Sequence, residues 1–347
     1  MEFLLENILN EGSVSGAESG AADVFAAYLN SKCDIRRDVM GNVFASVNSS
    51  AKRQLVIAAH IDEIGFQATY IDADGYVFIR PNGGVDKVCL PGTQVRIHSR
   101  NTQRIIDGVI GKVPIHVLKP EERSRCFEMD ELWVDTGMDV EDVKHMICVG
   151  DYVSFRPNLI RLGNNRISSK GLDDKVGICI IAEVMRRLDV SKISVGVTAI
   201  STTQEELGCK GAKVCLNNLS PDIAICVDLG IATDVPNISK RKYGDISLGG
   251  GVVITRHTDN SEYLSGFAEQ TAIRNDIRYQ LSAHHIPTGG TDTQSLQLTG
   301  HSCQTLLLSI PSRYMHTQVE MCDLRDMEAA VDLILSLIDN YDKNAGI

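Results

Sequence analysis

Four short apolar runs, Gln54 to Ala59, Ile193 to Ile200, Ile223 to Val227 and Thr305 to Ile310, constrain this chain more than any other feature. Each is long enough for one strand and far too short for a membrane span, which needs about 18 apolar residues. The run Gln54-Leu55-Val56-Ile57-Ala58-Ala59 is continuous, with no polar residue alternating within it. A strand there is expected to be buried on both faces. Helical stripes accompany the runs: Val176 to Leu188 sets Ile180, Ile181, Val184 and Leu188 on one side, and Met327, Val331, Ile334, Leu335 and Ile338 form a C-terminal stripe. The pattern predicts an α/β domain.

Between the first run and the others the texture changes. From about Gly65 to Pro157 short alternating runs, such as Tyr76 to Arg80, Thr93 to His98, Gly108 to Gly111 and Asp151 to Phe155, are broken by Gly and Pro. One short helix is expected near Asp139 to Val143. The simplest organisation is an α/β domain in two pieces, residues 1–64 and 165–347, with a small β-rich module over 65–164. Insertion is well tolerated at a loop beside a strand end. At the N-terminus, Ser15-Gly16-Ala17-Glu18 has the spacing of a capping box before a helix carrying Ala21, Val24, Phe25, Tyr28 and Leu29.

The formal net charge of -11 argues against a nucleic-acid partner, because a phosphate backbone attracts basic surfaces. None of the 10 cysteines forms a Cys-x-x-Cys pair, and several, such as Cys179 and Cys226, lie inside apolar runs. Free thiols in a reducing compartment are expected. The start, Met1-Glu2-Phe3-Leu4-Leu5-Glu6, lacks a basic stretch before a long apolar core. A cytoplasmic protein with no membrane partner is the expectation.

The ends of the apolar runs carry the chemistry. His60 follows the first run, Gln204-Glu205-Glu206 the second, Asp228 the third and His316 the fourth, while Asp173-Asp174 opens the helix that begins near Val176. In open α/β sheets, sites form in the crevice beyond the carboxyl ends of strands, so these scattered residues can converge. Two histidines, a set of carboxylates and one spare glutamate suit a pair of borderline-hard divalent cations that share a carboxylate, with a base beside them. Neighbouring residues of a regular strand point to opposite faces. Glu205 and Glu206 can therefore reach one site only where the strand yields to a loop, and Gly208 and Gly211 supply that break. One glutamate can then ligate while the other handles protons. Asp62, two residues after His60, is placed to accept the second ring N–H of that histidine. Asp173-Asp174 also suits a helix N-terminus on electrostatic grounds alone. Gly289 to Thr293 reads as a turn in which Asp292 is either a cap or a direct catalytic residue, and His284-His285 as a helix end. His98, His116 and His145 stand singly and read as surface or satisfied histidines.

Taken together, Ala59-His60-Ile61-Asp62-Glu63-Ile64-Gly65-Phe66, Leu172-Asp173-Asp174-Lys175-Val176-Gly177, Gln204-Glu205-Glu206-Leu207-Gly208, Asp228 and Pro311-Ser312-Arg313-Tyr314-Met315-His316 resemble the tetrahedral (TET) aminopeptidases. These are dinuclear-metal exopeptidases, some of which carry the name glutamyl aminopeptidase or endoglucanase. The resemblance extends into the insertion, at Gly108-Val109-Ile110-Gly111 and Leu118-Lys119-Pro120-Glu121-Glu122-Arg123. It implies a three-layer, phosphorylase/hydrolase-like catalytic domain with a PDZ-like inserted domain that mediates dimer contacts. It further implies homo-oligomers in which dimers build a tetrahedral dodecamer, and two divalent ions, zinc or cobalt, per subunit. By position, His60 and Asp228 would hold one ion and Glu206 and His316 the other. Asp173 would bridge them, joined to Asp174 by a cis peptide. Glu205 would be the general base and Asp62 the orienting acid. Thr293 stands where the family often has alanine. The implied activity is removal of N-terminal residues from peptide substrates. Competing expectations are a dinuclear-metal carboxypeptidase or deacylase, a glycosidase using Glu205 and Glu206 as its carboxyl pair, and a non-catalytic oligomeric scaffold.

Overall fold

A computed structural model of the chain describes residues 1–217, 219–283 and 290–343. The first apolar run becomes β3 (Gln54–His60), preceded by β1 (Asp34–Arg37) and β2 (Val43–Val47). The insertion supplies β4 (Gly65–Ile71), β5 (Val77–Asn82), β6 (Gln94–His98), β7 (Ile105–Gly111), β8 (Trp133–Asp135) and β9 (Tyr152–Phe155). Then come β10 (Ile160–Leu162), β11 (Arg166–Ser169), β12 (Gly196–Thr202), β13 (Ile223–Ile231), β14 (Val252–Thr255), β15 (Tyr279–Ser282), β16 (Gln304–Ser312) and β17 (Glu320–Asp323). The second run starts as a strand later than expected. The backbone N–H groups of Ser194 and Val195 are taken by the Asp342 carboxylate of the C-terminal helix, at 2.8 and 3.0 Å, rather than by a neighbouring strand.

The main sheet has the order β1-β2-β12-β3-β13-β16-β14-β15. Its centre, β12-β3-β13-β16, is parallel, and β2 and β14 flank it antiparallel. Parallel strands buried on both faces need continuous apolar runs, which is what these segments are. Leu55, Ile57, Ala59, Val197, Ile225 and Val227 join one core with the helices Glu2–Asn10, Ser19–Leu29, Leu172–Arg187 and Leu324–Lys343. Val56, Ala58, Ile200, Ala224 and Cys226 face the other way, onto Ala212, Cys215, Leu216 and Leu296. The register sets Thr202 beside His60, and Asp228 lies two residues past the Cys226–Ala58 pair. Three strands thus deliver functional side chains at one level of one edge.

The inserted segment closes into a barrel, β4-β5-β8-β7-β6-β9, with β9 returning to β4. It has a hydrophobic core of its own around Phe66, Val77, Val95, Ile110, Val134 and Phe155, and the expected short helix runs from Val140 to Met146. The hairpin β10–β11 straddles the expected 164/165 boundary and pairs with β17. No helix among the described residues is long and apolar enough to cross a membrane.

The capping-box reading of Ser15 to Glu18 is corrected. The helix starts at Ser19 with no side-chain cap. Ser15 instead turns inward, where its hydroxyl donates to Asp62, and the Glu18 carboxylate accepts from the N–H groups of Gly16 and Gln204 at 2.7 and 3.2 Å. A hydroxyl that finds a buried carboxylate has more to gain there than at a solvent-facing helix end.

Where the chain enters the barrel, Glu63 meets Lys170 at 2.7 Å and Lys175 at 3.2 Å, with all three side chains buried. Burial alone would raise the Glu63 pKa, but the two ammonium groups draw it down to about 2. Glu63→Gln is expected to destabilise the protein by about 3–5 kcal/mol, because it strands two buried cations without an anion. Denaturant unfolding of parent and variant measures this, and equal midpoints would show that the lysines reach water instead. In the parent the folded pKa is depressed, so the Glu63 contribution is present above the unfolded value of 4.5 and is lost as pH falls toward about 2.

Candidate metal centre

The site is built at the carboxyl edge of the parallel strands. His60 ends β3 and Asp228 lies near the end of β13. Asp173 sits in the non-helical first turn of the Leu172–Arg187 helix, and the Asp173–Asp174 peptide is cis. Glu205 and Glu206 lie just past β12, where Gln204 adopts a positive φ of 53° and breaks the strand alternation. His316 follows β16 at a φ of 63°.

These residues form two groups that share Asp173. His60, Asp173 and Asp228 offer ligand atoms that all lie within 4.8 Å of one another, and so do Asp173, Glu206 and His316. His60 Nε2 stands 3.2 Å from Asp173 Oδ1 and 3.7 Å from Asp228 Oδ1. His316 Nε2 stands 3.5 Å from Asp173 Oδ2 and 3.6 Å from Glu206 Oε1. One carboxylate therefore turns one oxygen to each imidazole.

The tautomers make this arrangement informative. His60 Nδ1 lies 3.2 Å from the Asp62 carbonyl, and His316 Nδ1 lies 2.8 Å from the Gly84 carbonyl. A neutral imidazole has one N–H, and each ring spends it on a carbonyl oxygen. The Nε2 lone pairs then face carboxylate oxygens, acceptor against acceptor. Only a proton or a cation between them makes that favourable. Borderline divalent ions take imidazole nitrogen and carboxylate oxygen in such mixed sets. The donor chemistry fits a metal, and the hydrogen-bonded second nitrogens fit it too.

Charge crowding points the same way. Burial, then the Asp173 charge, pushes Glu206 up to about 8. Burial with the charges of Asp228, Asp292 and Glu206 holds Glu205 well above the carboxylate range, and burial with neighbouring Asp228 and Asp173 does the same to Asp174. Burial opposes charge on His316, yet Asp173 and Glu206 raise it to about 10. Too many anions share a dry space, and a positive ion relieves that.

Around the groups stands a layer of backbone-holding acids. The Asp62 carboxylate accepts the N–H groups of Glu205 and Glu206 at 3.0 and 3.1 Å, besides the Ser15 hydroxyl. It lies 3.5 Å from His60 Nδ1, farther than the carbonyl of the same residue. Its carboxylate therefore orients the two glutamates more directly than the ring. Glu320, which belongs to none of the motifs above, is buried on β17. It accepts the N–H of Asp173 at 3.0 Å with one oxygen and the N–H of His316 at 2.9 Å with the other. A lone acid inside the strand-like run Val319-Glu320-Met321-Cys322 was the available signal. Gly84 reaches His316 from the barrel, and a backbone carbonyl leaves no such signal.

All seven residues singled out by sequence converge: His60, Asp62, Asp173, Glu205, Glu206, Asp228 and His316. Asp292 does not cap its helix. Thr291 does, and Asp292 lies buried with its Oδ2 accepting from the Thr202 hydroxyl, in a third group with Glu205 and Cys209. Thr202, beside His60 at the end of β12, reaches the start of that helix through this hydrogen bond. His284, His285 and Gly289 lie outside the described residues.

A family model for M42 glutamyl aminopeptidases matches residues 41–333. The chain is 31% identical over 341 residues to a lysyl aminopeptidase of Pyrococcus furiosus, covering 97% of this chain and 96% of that protein. Among solved structures, a TET aminopeptidase from the marine sediment archaeon Thaumarchaeota archaeon SCGC AB-539-E09 matches with a TM-score of 0.92 at 26% identity, covering 98% of this chain and 96% of the other. The TET1 peptidase of Pyrococcus horikoshii, described as assembling into a tetrahedron or a large octahedral shell, matches with a TM-score of 0.86 at 28% identity over 97% and 98% of the two chains. With this mixed α/β fold and a site of facing imidazoles and carboxylates, the chain belongs to the M42 glutamyl aminopeptidase family. It is a metal-dependent aminopeptidase, a hydrolase of peptide bonds.

Proposed function

We propose that the protein removes N-terminal residues from peptides at a dinuclear centre held by His60, Asp173, Glu206, Asp228 and His316. The observation that carries this reading is the shared Asp173 carboxylate, with Oδ1 toward His60 and Oδ2 toward His316. Two zinc or cobalt ions suit the nitrogen and oxygen donors and, when bound, supply an acidified water and polarisation of the scissile carbonyl. The remaining work falls to the chain. Glu205 belongs to neither catalytic group, so its carboxylate is free to take the proton of the attacking water and return it to the leaving amine. Asp62 fixes the Glu205–Glu206 backbone, and Glu320 ties Asp173 to His316, so the donors stay in place as charge moves.

The finer organisation belongs to the same reading. Residues 1–64 and 165–347 form the three-layer catalytic domain, and 65–164 form a PDZ-like domain that joins subunits into homo-oligomers, as the assembly of the Pyrococcus horikoshii relative supports. Ten cysteines without a disulfide accord with a cytoplasmic setting.

Peptides blocked at one end test the activity. Hydrolysis should require a free N-terminus, vanish on chelation and return with zinc or cobalt. Cleavage of N-acetylated peptides from the carboxyl end would assign the site to a carboxypeptidase, and turnover by metal-free protein would reject the centre.

A further inference from the structure

In the turn that carries Glu205, successive backbone N–H groups meet side-chain oxygens from far away in sequence. Thr203 donates to Asn42 at 2.9 Å, Gln204 to Glu18 at 3.2 Å, and Glu205 and Glu206 to the two oxygens of Asp62 at 3.0 and 3.1 Å. Of these, Gln204 is the residue with a positive φ, 53°. L-residues visit that region rarely and at a cost in energy. Relaxed to extended backbone, the turn would send the Glu205 and Glu206 side chains to opposite faces. Glu18 is itself buried and fixed from behind. Its Oε1 also accepts the Gly16 N–H at 2.7 Å. The segment leading to it is tied down where Ser13 donates its N–H to Glu63 at 3.1 Å and the Asn82 amide donates to the Ser15 carbonyl at 2.7 Å.

We propose that Glu18 is a positioning residue for the reaction: it holds Gln204 in the left-handed region and thereby aims the Glu205 carboxylate into the site. Its effect on turnover rests on the reading of Glu205 as general base. The backbone has two soft torsions per residue, set between rigid peptide planes. The planes on either side of Gln204 carry the N–H groups of Gln204 and Glu205. Glu18 pins the first plane and Asp62 the second, so the two carboxylates together fix the torsions between them. Asp62 alone sets where the Glu205 N–H lies but leaves the plane before Gln204 to turn. On that plane Gly211 also donates to the Thr203 carbonyl at 2.9 Å. That bond joins two neutral groups, and a hydrogen bond to a carboxylate is about twice as strong. Glu18 belongs to none of the groups of candidate metal donors, so its action on the chemistry passes through Gln204.

Glu18→Met keeps the length of the side chain and removes the acceptor. In metal-loaded protein it should lower kcat about 10-fold or more, as misplacement of a reacting group does, with KM unchanged and the metal content of the parent. Glu18→Gln still offers an oxygen to both N–H groups and should recover most of that turnover. A double-mutant cycle reads the mechanism itself. In the Gln204→Gly background a positive φ carries no steric penalty, so the same Glu18→Met change should lose most of its effect on kcat. Gln204→Val needs no change at residue 18 and strains the same torsion with a β-branched side chain; it should reproduce the kcat loss. Parental kcat in Gln204→Val, or in Glu18→Met, overturns the positioning role. An equal Glu18→Met loss with and without Gln204→Gly overturns it too, as does release of metal by Glu18→Met, which would move the effect onto Glu206. Failure of the general-base reading shows separately, as parental turnover in Glu205→Gln.

Discussion

Glu205→Gln is expected to lower kcat about 10²–10⁴-fold while leaving the catalytic ions in place. Glutamine keeps the size of the side chain but cannot accept and release a proton at neutral pH. The loss should fall on kcat rather than KM, since Glu205 stands outside both groups that share Asp173. Backbone geometry should survive, because Asp62 grips residue 205 by its N–H and not by its side chain. Metal analysis and steady-state kinetics on the same preparation check this. A variant with parental turnover removes Glu205 from the proton path, and one that also loses its metal would make it a ligand instead.

Asp173→Ala is expected to strip both ions, where His316→Ala strips one. Asp173 alone faces both imidazoles, at 3.2 Å from His60 and 3.5 Å from His316. Removing it breaks two groups at once, whereas His316 belongs to a single group. Loss of an outer partner of a metal ligand typically costs about 10–100-fold in affinity or activity, so loss of a shared ligand should exceed about 100-fold in turnover. The charge balance shifts as well. The Asp173 charge helps to raise both Glu206 and Glu320, and its removal lets both ionise more readily. Calorimetric titration with zinc, giving stoichiometry for the parent and each variant, decides the matter. Two ions bound by Asp173→Ala would exclude a bridging role.

The donor residues were legible because they stand where short apolar runs stop, and because metal chemistry needs particular side chains. The strands were legible because β3, β12, β13 and β16 lie buried at the centre of a sheet, which demands unbroken apolar sequence. The cap readings of Ser15 and Asp292 fail for one shared reason. Each has the residue type of a helix cap, and each is drawn instead to a buried partner, Asp62 or Thr202, that lies far away in sequence. Glu320 escaped notice because it touches no imidazole; it acts on the backbone of Asp173 and His316.

The sequence by itself determined which atoms are on hand: two imidazoles, the carboxylates, and the apolar strands that carry several of them to one edge. Only the tertiary structure decided how those atoms face each other. It turned the two oxygens of Asp173 toward different histidines, placed a thiol under Glu205, and brought the Gly84 carbonyl across 232 residues to orient His316. The physical reason is that donor identity is a property of side chains, while donor direction depends on strand register and on backbone N–H and C=O groups, which every residue carries alike.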